Sequence, residues 1–525
     1  MGPAEVRRSM ATRTRFWLGL LALASLTHCA GNPTALTHDA ALAPGEGVVL
    51  LRVVGNASEP WSQLELAPDT GGTPQTVFAA DFAENSSGVF VGKLPAGRYR
   101  PVQMKAALQT GNLVTTLEVP LEARLGRFAV EAGRVTNLGT VVYQEYGAMV
   151  KMHIKNAVVR SPAPAPSAAL LHSQFPAVAA AVEGKPELGW DDPVRAPSPQ
   201  LVQVLRDGRG QVRGLNGASL AQGGAVWAGA RLGALLVRES VRAPWRRIDT
   251  GALQEIMAVA PLPQDRILAG GEEGLVVLSQ DRGRSWTRLS VVAPERIVVF
   301  VGGTASGAVV LVAQGADDLQ VWMASDPRSA WRQIGQIATA RDRREGVVPG
   351  TPAGDDVVRW RTLQHPDFVA LTDARLVIYS DERKLSTFDF ASQRWDSVET
   401  PFVAHHTLAM PDGHLFAMPP VGASMFGSSD WGHSWQKLDY FTFASAPAFA
   451  SDTTGYLAAR PYGTTEIWRM MKTTDGAKTW NEQSELAFMP RKVIVDPASH
   501  ALLALSVQGE TFLSGDDGKS WQAAN

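Results

Sequence analysis

At 525 residues the chain is too long for one ordinary core, so two or more domains are expected. Its 49 Lys and Arg nearly balance 51 Asp and Glu, which argues against the concentrated basic footprint of a nucleic-acid binder. One cysteine, Cys29, excludes disulfides within the chain and cysteine-based metal sites.

The N-terminus has the order of a secretory signal. Arg13 and Arg15 precede the apolar run Phe16 to Leu26, which stops abruptly at Thr27-His28-Cys29. The run is far short of the ~20 apolar residues that span a bilayer. Leu26-Thr27-His28-Cys29 resembles a bacterial lipobox, with His28 where a small residue is usual. The resemblance implies a signal peptide over 1–29, a lipidated Cys29 and a protein anchored in the bacterial cell envelope. Ala30, not Asp, follows the cysteine, and resemblance to sorted lipoproteins implies the outer membrane, facing the periplasm. The alternative is an ordinary signal and a secreted or soluble periplasmic protein. Residues 30–46 are mostly small and polar and read as a tether.

From 47 to 159 the pattern is of short β-prone runs between turn residues, among them Val48 to Val54, Thr76 to Phe82 and Gly88 to Gly92. Leu94-Pro95-Ala96-Gly97-Arg98-Tyr99, followed by Phe128 to Val135, resembles small prealbumin-like or carboxypeptidase-regulatory-like sandwiches. That resemblance implies an accessory β-sandwich used as a spacer or docking module. Residues 160–200 form a connector that opens on a Pro/Ala-rich stretch, Ser161 to Pro166. Ser167 to Val182 is rich enough in alanine for one or two helical turns.

The remaining 201–525 contain an internal repeat. Ser279-x-Asp281-x-Gly283-x-x-Trp286, Ser428-x-Asp430-x-Gly432-x-x-Trp435 and Ser514-x-Asp516-x-Gly518-x-x-Trp521 match one pattern. Thr473-x-Asp475 to Trp480 is a near match, its glycine (Gly476) one place early. Three degenerate copies end on Trp245, Trp331 and Trp395, so successive tryptophans are 41, 45, 64, 40, 45 and 41 residues apart. A four-stranded propeller blade takes about 40–45 residues, which predicts one copy per blade and seven blades. The fold class is therefore all-β, a seven-bladed β-propeller preceded by a small β-sandwich. Leu201 to Leu205 is a candidate for a strand that closes the ring.

The repeated residues have turn chemistry. A tight turn leaves backbone N–H groups that no ladder satisfies, and Asp and Ser/Thr side chains accept from such groups locally. Glycine permits positive φ, and the Trp buries a large apolar surface. The repeated Asp residues are accordingly expected to be structural, and no catalytic residue, metal site or cofactor is assigned.

In a four-stranded meander the turn between strands three and four shares a face with the turn between one and two. The opposite face, carrying the two-to-three loops and the connections between blades, is the expected binding rim. It includes Glu272, Glu273, Asp317 and Asp318, and a long insertion at 338–363 with Arg341, Arg343, Arg344, Asp355, Asp356, Arg359, Trp360 and Arg361. Arginine and tryptophan beside acidic groups suit a protein or peptide ligand.

The repeat from Gly271 to Trp286 is similar to that of Asp-box, or bacterial neuraminidase repeat, propellers, especially photosystem II assembly-factor-like proteins. The resemblance implies a non-catalytic propeller holding a protein client by one face. Sialidases share the box, so a glycan hydrolase is the alternative. Sialidase chemistry requires an arginine triad and a Tyr–Glu pair. This chain offers only Glu295-Arg296-Ile297-Val298, without the expected proline, and Tyr462 with Glu466. Its reading is thus a membrane-tethered envelope propeller with an unknown protein client.

Overall fold

The run Val48 to Val54 buries side chains on both faces, so both faces of the strand it forms must be covered. The computed structural model describes residues 36, 39–55, 61–82, 87–110, 113–121, 124–146, 155–165, 167–210, 216–221, 224–315, 318–339, 345–347, 357–359, 369–380, 383–402, 404, 406–410, 412–418, 423–461, 467–506 and 509–524. Cys29 lies outside them. Nine strands come first: β1 (Glu46–Gly55), β2 (Trp61–Pro68), β3 (Gln75–Phe82), β4 (Ser87–Pro95), β5 (Gly97–Thr110), β6 (Leu113–Pro120), β7 (Phe128–Val130), β8 (Val135–Tyr146) and β9 (Lys155–Ser161). They form one sheet in the order β6-β5-β2-β3-β4-β1-β8-β9, with β7 added to β5. Only the β1–β8 pairing is parallel.

One face of this sheet closes on itself. Val49, Leu51 and Val53 share a core with Trp61, Leu64, Tyr99, Met104, Phe128 and Tyr143, so the sandwich is built from a single folded-over sheet. Side chains alternate along a strand, and Val48 and Leu50 point the other way. They are covered by α1 (Ser167–Gln174) and α2 (Pro176–Val182), the helical turns of the Ala-rich stretch. Leu36 and Leu42 pack against the same cluster.

Leu201 to Leu205 departs from the closing strand expected of it. It is part of a helix, α3 (Pro199–Gly210), whose N-terminus is held by the Leu201 N–H donating to Ser198 Oγ at 3.1 Å. Leu201 and Val204 are buried whereas Val202 between them is 47% exposed, which is helical and not strand periodicity. The helix seals its apolar side against Val54, Val142 and Val159 of the sheet.

The propeller then runs through seven blades, each contiguous in the chain. Blade 1 is Asn216–Leu220, Val226–Gly229, Ala234–Arg238 and Arg246–Asp249; blade 2 is Ile256–Leu262, Arg266–Gly271, Val276–Ser279 and Thr287–Arg288. Blade 3 is Ile297–Gly303, Val309–Gln314, Asp318–Ala324 and Arg332–Ala338, and blade 4 is Val369–Leu371, Arg375–Ser380, Lys384–Asp389 and Arg394–Glu399. Blade 5 (His406–Ala409, Leu415–Met418, Ala423–Ser428, Gln436–Ala444) is hydrogen-bonded to blade 6 (Ala448–Phe449, Gly455–Pro461, Trp468–Thr473, Asn481–Leu486), because the end of Gln436–Ala444 pairs with Gly455–Pro461. Blade 7 is Pro490–Val495, Leu502–Ser506, Thr511–Ser514 and Gln522–Ala523. The ring closes by side-chain packing: Ala218, Val226 and Ala228 of blade 1 share a core with Ile494, Leu503 and Leu513 of blade 7. Trp245 Nε1 donates to Thr511 Oγ1 across that seam at 3.4 Å.

Candidate functional site

The repeated turns occupy one face of the ring. Asp281 Oδ1 accepts from the Ser279 hydroxyl at 2.8 Å and from the N–H groups of Arg284 and Ser285 at 3.0 and 2.9 Å. Its Oδ2 accepts from the Ser285 hydroxyl at 2.6 Å, and Ser279 Oγ in turn accepts from the Gly283 N–H at 2.7 Å. The same network recurs at Ser428/Asp430/Gly432/Ser434, Thr473/Asp475/Ala477/Thr479 and Ser514/Asp516/Gly518/Ser520. The hydroxyl of Ser285, Ser434, Thr479 or Ser520, then that residue's N–H, holds the carboxyl of Asp281, Asp430, Asp475 or Asp516 down at about 2. Every accepting oxygen of these carboxylates is engaged within its own turn.

Two successive positions in each turn have positive φ: Arg282 and Gly283, Trp431 and Gly432, Gly476 and Ala477, Asp517 and Gly518. The displaced glycine of the fourth copy is thereby accounted for, since Gly476 takes the first of the two left-handed positions and Ala477 the second. Trp286, Trp435, Trp480 and Trp521 stand at the start of the outer strand and pack into the cores between blades. Arg282 pairs with Asp265 at 2.6 Å, which places the three-to-four turn beside the one-to-two turn on a common face.

The opposite face is built differently. In the two-to-three loop of blade 2, Glu272 is buried and its Oε2 accepts the Glu255 N–H at 3.0 Å. Glu273 reaches outward, accepting from Gln254 Nε2 at 2.7 Å and pairing with Arg52 Nε of β1. Asp318, at the corresponding place in blade 3, pairs with Arg296 at 2.9 Å and accepts from Gln336 at 2.6 Å. The N-terminal sheet therefore lies over this face at blades 1 and 2, and Leu232 and Leu253 of blade 1 and its exit join the α3 core.

The long insertion contains a hairpin, Glu345–Val347 with Val357–Arg359, in the register Glu345↔Arg359. Asp317, Arg341, Arg343, Arg344, Asp355, Asp356, Trp360 and Arg361 lie outside the described residues, as do Tyr462 and Glu466. Arg52 and Gln254 were not singled out from sequence, and Arg296, weighed there only as a fragment of a sialidase arginine motif, pairs instead with Asp318. A signal for Arg52 did exist, because a lone charge inside Val48 to Val54 requires a buried partner.

Across the ring, blade 6 presents a different surface to the same face. Arg460 lies over the rings of Phe443 and Trp468, with its guanidinium carbon 5.6 and 5.3 Å from their centroids. Ile467, next to Trp468, and Met489, three residues beyond its partner Leu486, are 42% and 45% exposed. The seven described inner strands contain no Asp or Glu. Among the described residues no three His, Cys, Asp or Glu converge as a metal site.

Comparison with solved structures returns propellers. A structure described as YCF48 bound to D1 peptide is 13% identical with a TM-score of 0.44, over 59% of this chain and 93% of that one. YCF48 from Cyanidioschyzon merolae is 12% identical with a TM-score of 0.41, over 58% and 96%. Virginiamycin B lyase from Staphylococcus aureus is 10% identical with a TM-score of 0.42, over 57% and 94%. No protein-family model and no curated protein matches the chain. The seven-bladed assignment rests on the blades themselves.

Proposed function

We propose that this chain is an Asp-box propeller of the bacterial cell envelope, tethered through an acylated Cys29 and holding a protein client on the face opposite the repeated turns. The observation that carries this reading is the chemistry of that face. It already docks a folded sheet at blades 1 and 2, and at blade 6 it offers Ile467 and Met489 beside Arg460 and Trp468. Arginine next to exposed apolar groups is a usual anchor of a protein interface, and Trp468, buried in the core between blades 6 and 7, backs it from below. Glycoside hydrolysis generally needs two carboxyl groups flanking the bond, and the described inner strands bring none to the mouth of the ring. The turn carboxylates are already spent on their own backbones.

Two experiments test the two halves of the proposal. Metabolic fatty-acid labelling of wild type is expected to mark the protein, and Cys29→Ser is expected to remove the label; equal labelling would refute the anchor. A photo-crosslinking residue at the exposed Ile467 is expected to capture one discrete protein in cells, and finding no adduct there or at Met489 would count against a client on this face.

A further inference from the structure

Arg52 is the most telling side chain in the N-terminal sheet. It is 1% exposed, it is the one charge in the run Val48 to Val54, and its carboxylate partner Glu273 belongs to the propeller, 221 positions later. Alternation along β1 explains how it gets there. Val48 and Leu50 lie under α1 and α2, Val54 lies under α3, and Arg52 stands on the same side between them. There, out of reach of solvent, it meets Glu273 of the propeller.

Around this pair the seam is continuous. Leu201 and Val204 of α3 bridge Val54, Val142 and Val159 of the sheet to Leu232 of blade 1, with Leu253 at its edge. Arg247 of blade 1 donates to the Arg206 carbonyl at 2.9 Å, and Tyr146 of β8 donates to Asp207 at 3.1 Å. Gly208 allows the closest approach: a Cβ there would stand 2.4 Å from Gln144 Oε1 and 2.6 Å from Leu232. Domains within a chain move relative to one another by default, unless the interface between them is substantial and apolar. Buried ion pairs add little net affinity, yet they penalise any register that leaves a charge unmatched.

We propose that the N-terminal sheet and the propeller form one rigid body, in which the α3 seam supplies adhesion and Arg52–Glu273 fixes the register. The sheet is then a permanent wall on the face opposite the repeated turns, not a spacer swinging on a connector. Blades 1 and 2 are closed to any partner by the chain's own N-terminal domain, and access is confined to the rest of the ring.

Calorimetry and hydrogen exchange on the full chain test this. Wild type is expected to unfold in one transition, with slow exchange at 230–234 and 251–255. Glu273→Arg, which sets two cations face to face, is expected to split the transition in two and to speed exchange at least tenfold in those segments. The swap Arg52→Glu with Glu273→Arg is expected to restore the single transition, which also covers the case in which Glu273→Arg alone fails to fold. Gly208→Val, a steric wedge in the seam, is expected to uncouple the domains while each keeps its own transition. Two separate transitions in wild type, an unchanged profile in Glu273→Arg, or no restoration by the swap would each overturn the proposal.

Discussion

The two faces of the propeller use acidic side chains for opposite purposes. On the face of the turns, Asp281, Asp430, Asp475 and Asp516 bond only within their own eight-residue segments, with near-identical geometry in four blades. On the other face, Glu273 reaches another domain, and Asp318 reaches the strand that enters its blade and the one that leaves it. The difference separates residues that close a single turn from residues that tie together distant strands or domains. Repetition marks the first kind. A function specific to this chain has to sit among the second, because a turn made alike four times distinguishes no ligand.

Four perturbations break or sharpen that contrast. Trp480→Ala empties the core between blades 5 and 6, where the ring is 8% exposed beside Phe449, and should cost about 3–5 kcal/mol by denaturant unfolding. Leu201→Ala cuts the interdomain seam without touching a blade. It should cost about 2–5 kcal/mol, and its effect should show as loss of coupling between the domains and leave the propeller's own transition in place. Replacing Asp281, Asp430 or Asp516 singly by Ala should lower Tm by a smaller amount, similar for all three because their networks are alike; widely different values would show that the turns are not equivalent.

The smallest effect is that of acid. The turn carboxyls have folded pKa values of about 2, below the ordinary 3.8, so their contribution is present above about pH 4 and is lost as pH falls toward 2. Solvent exposure makes each contribution modest. Asp475→Asn should flatten part of the decline in Tm between pH 4 and 2 while leaving the profile above pH 5 parallel to wild type.

Much of the propeller was legible because its signals are local. The strands of blades 1, 2 and 7 coincide with short apolar runs of the sequence. What the sequence hid is long-range. Leu201 to Leu205 fits a short apolar strand as well as a helix, and only burial by two domains at once selects α3. Glu272 and Glu273 look like a solvated acidic loop until Arg52 is brought to them by a strand more than two hundred residues away. The N-terminal strands were readable one by one, but their union into a single sheet depends on the parallel β1–β8 pairing, which no turn signal announces.

The most direct test of the division between faces places one photo-crosslinking residue at four exposed positions in cells: Arg284 and Lys519 beside the repeated turns, Ile467 and Met489 opposite them. Adducts to the same protein from Ile467 and Met489, with none from Arg284 or Lys519, are predicted. Adducts from the turn positions alone, or equally from all four, would contradict the account.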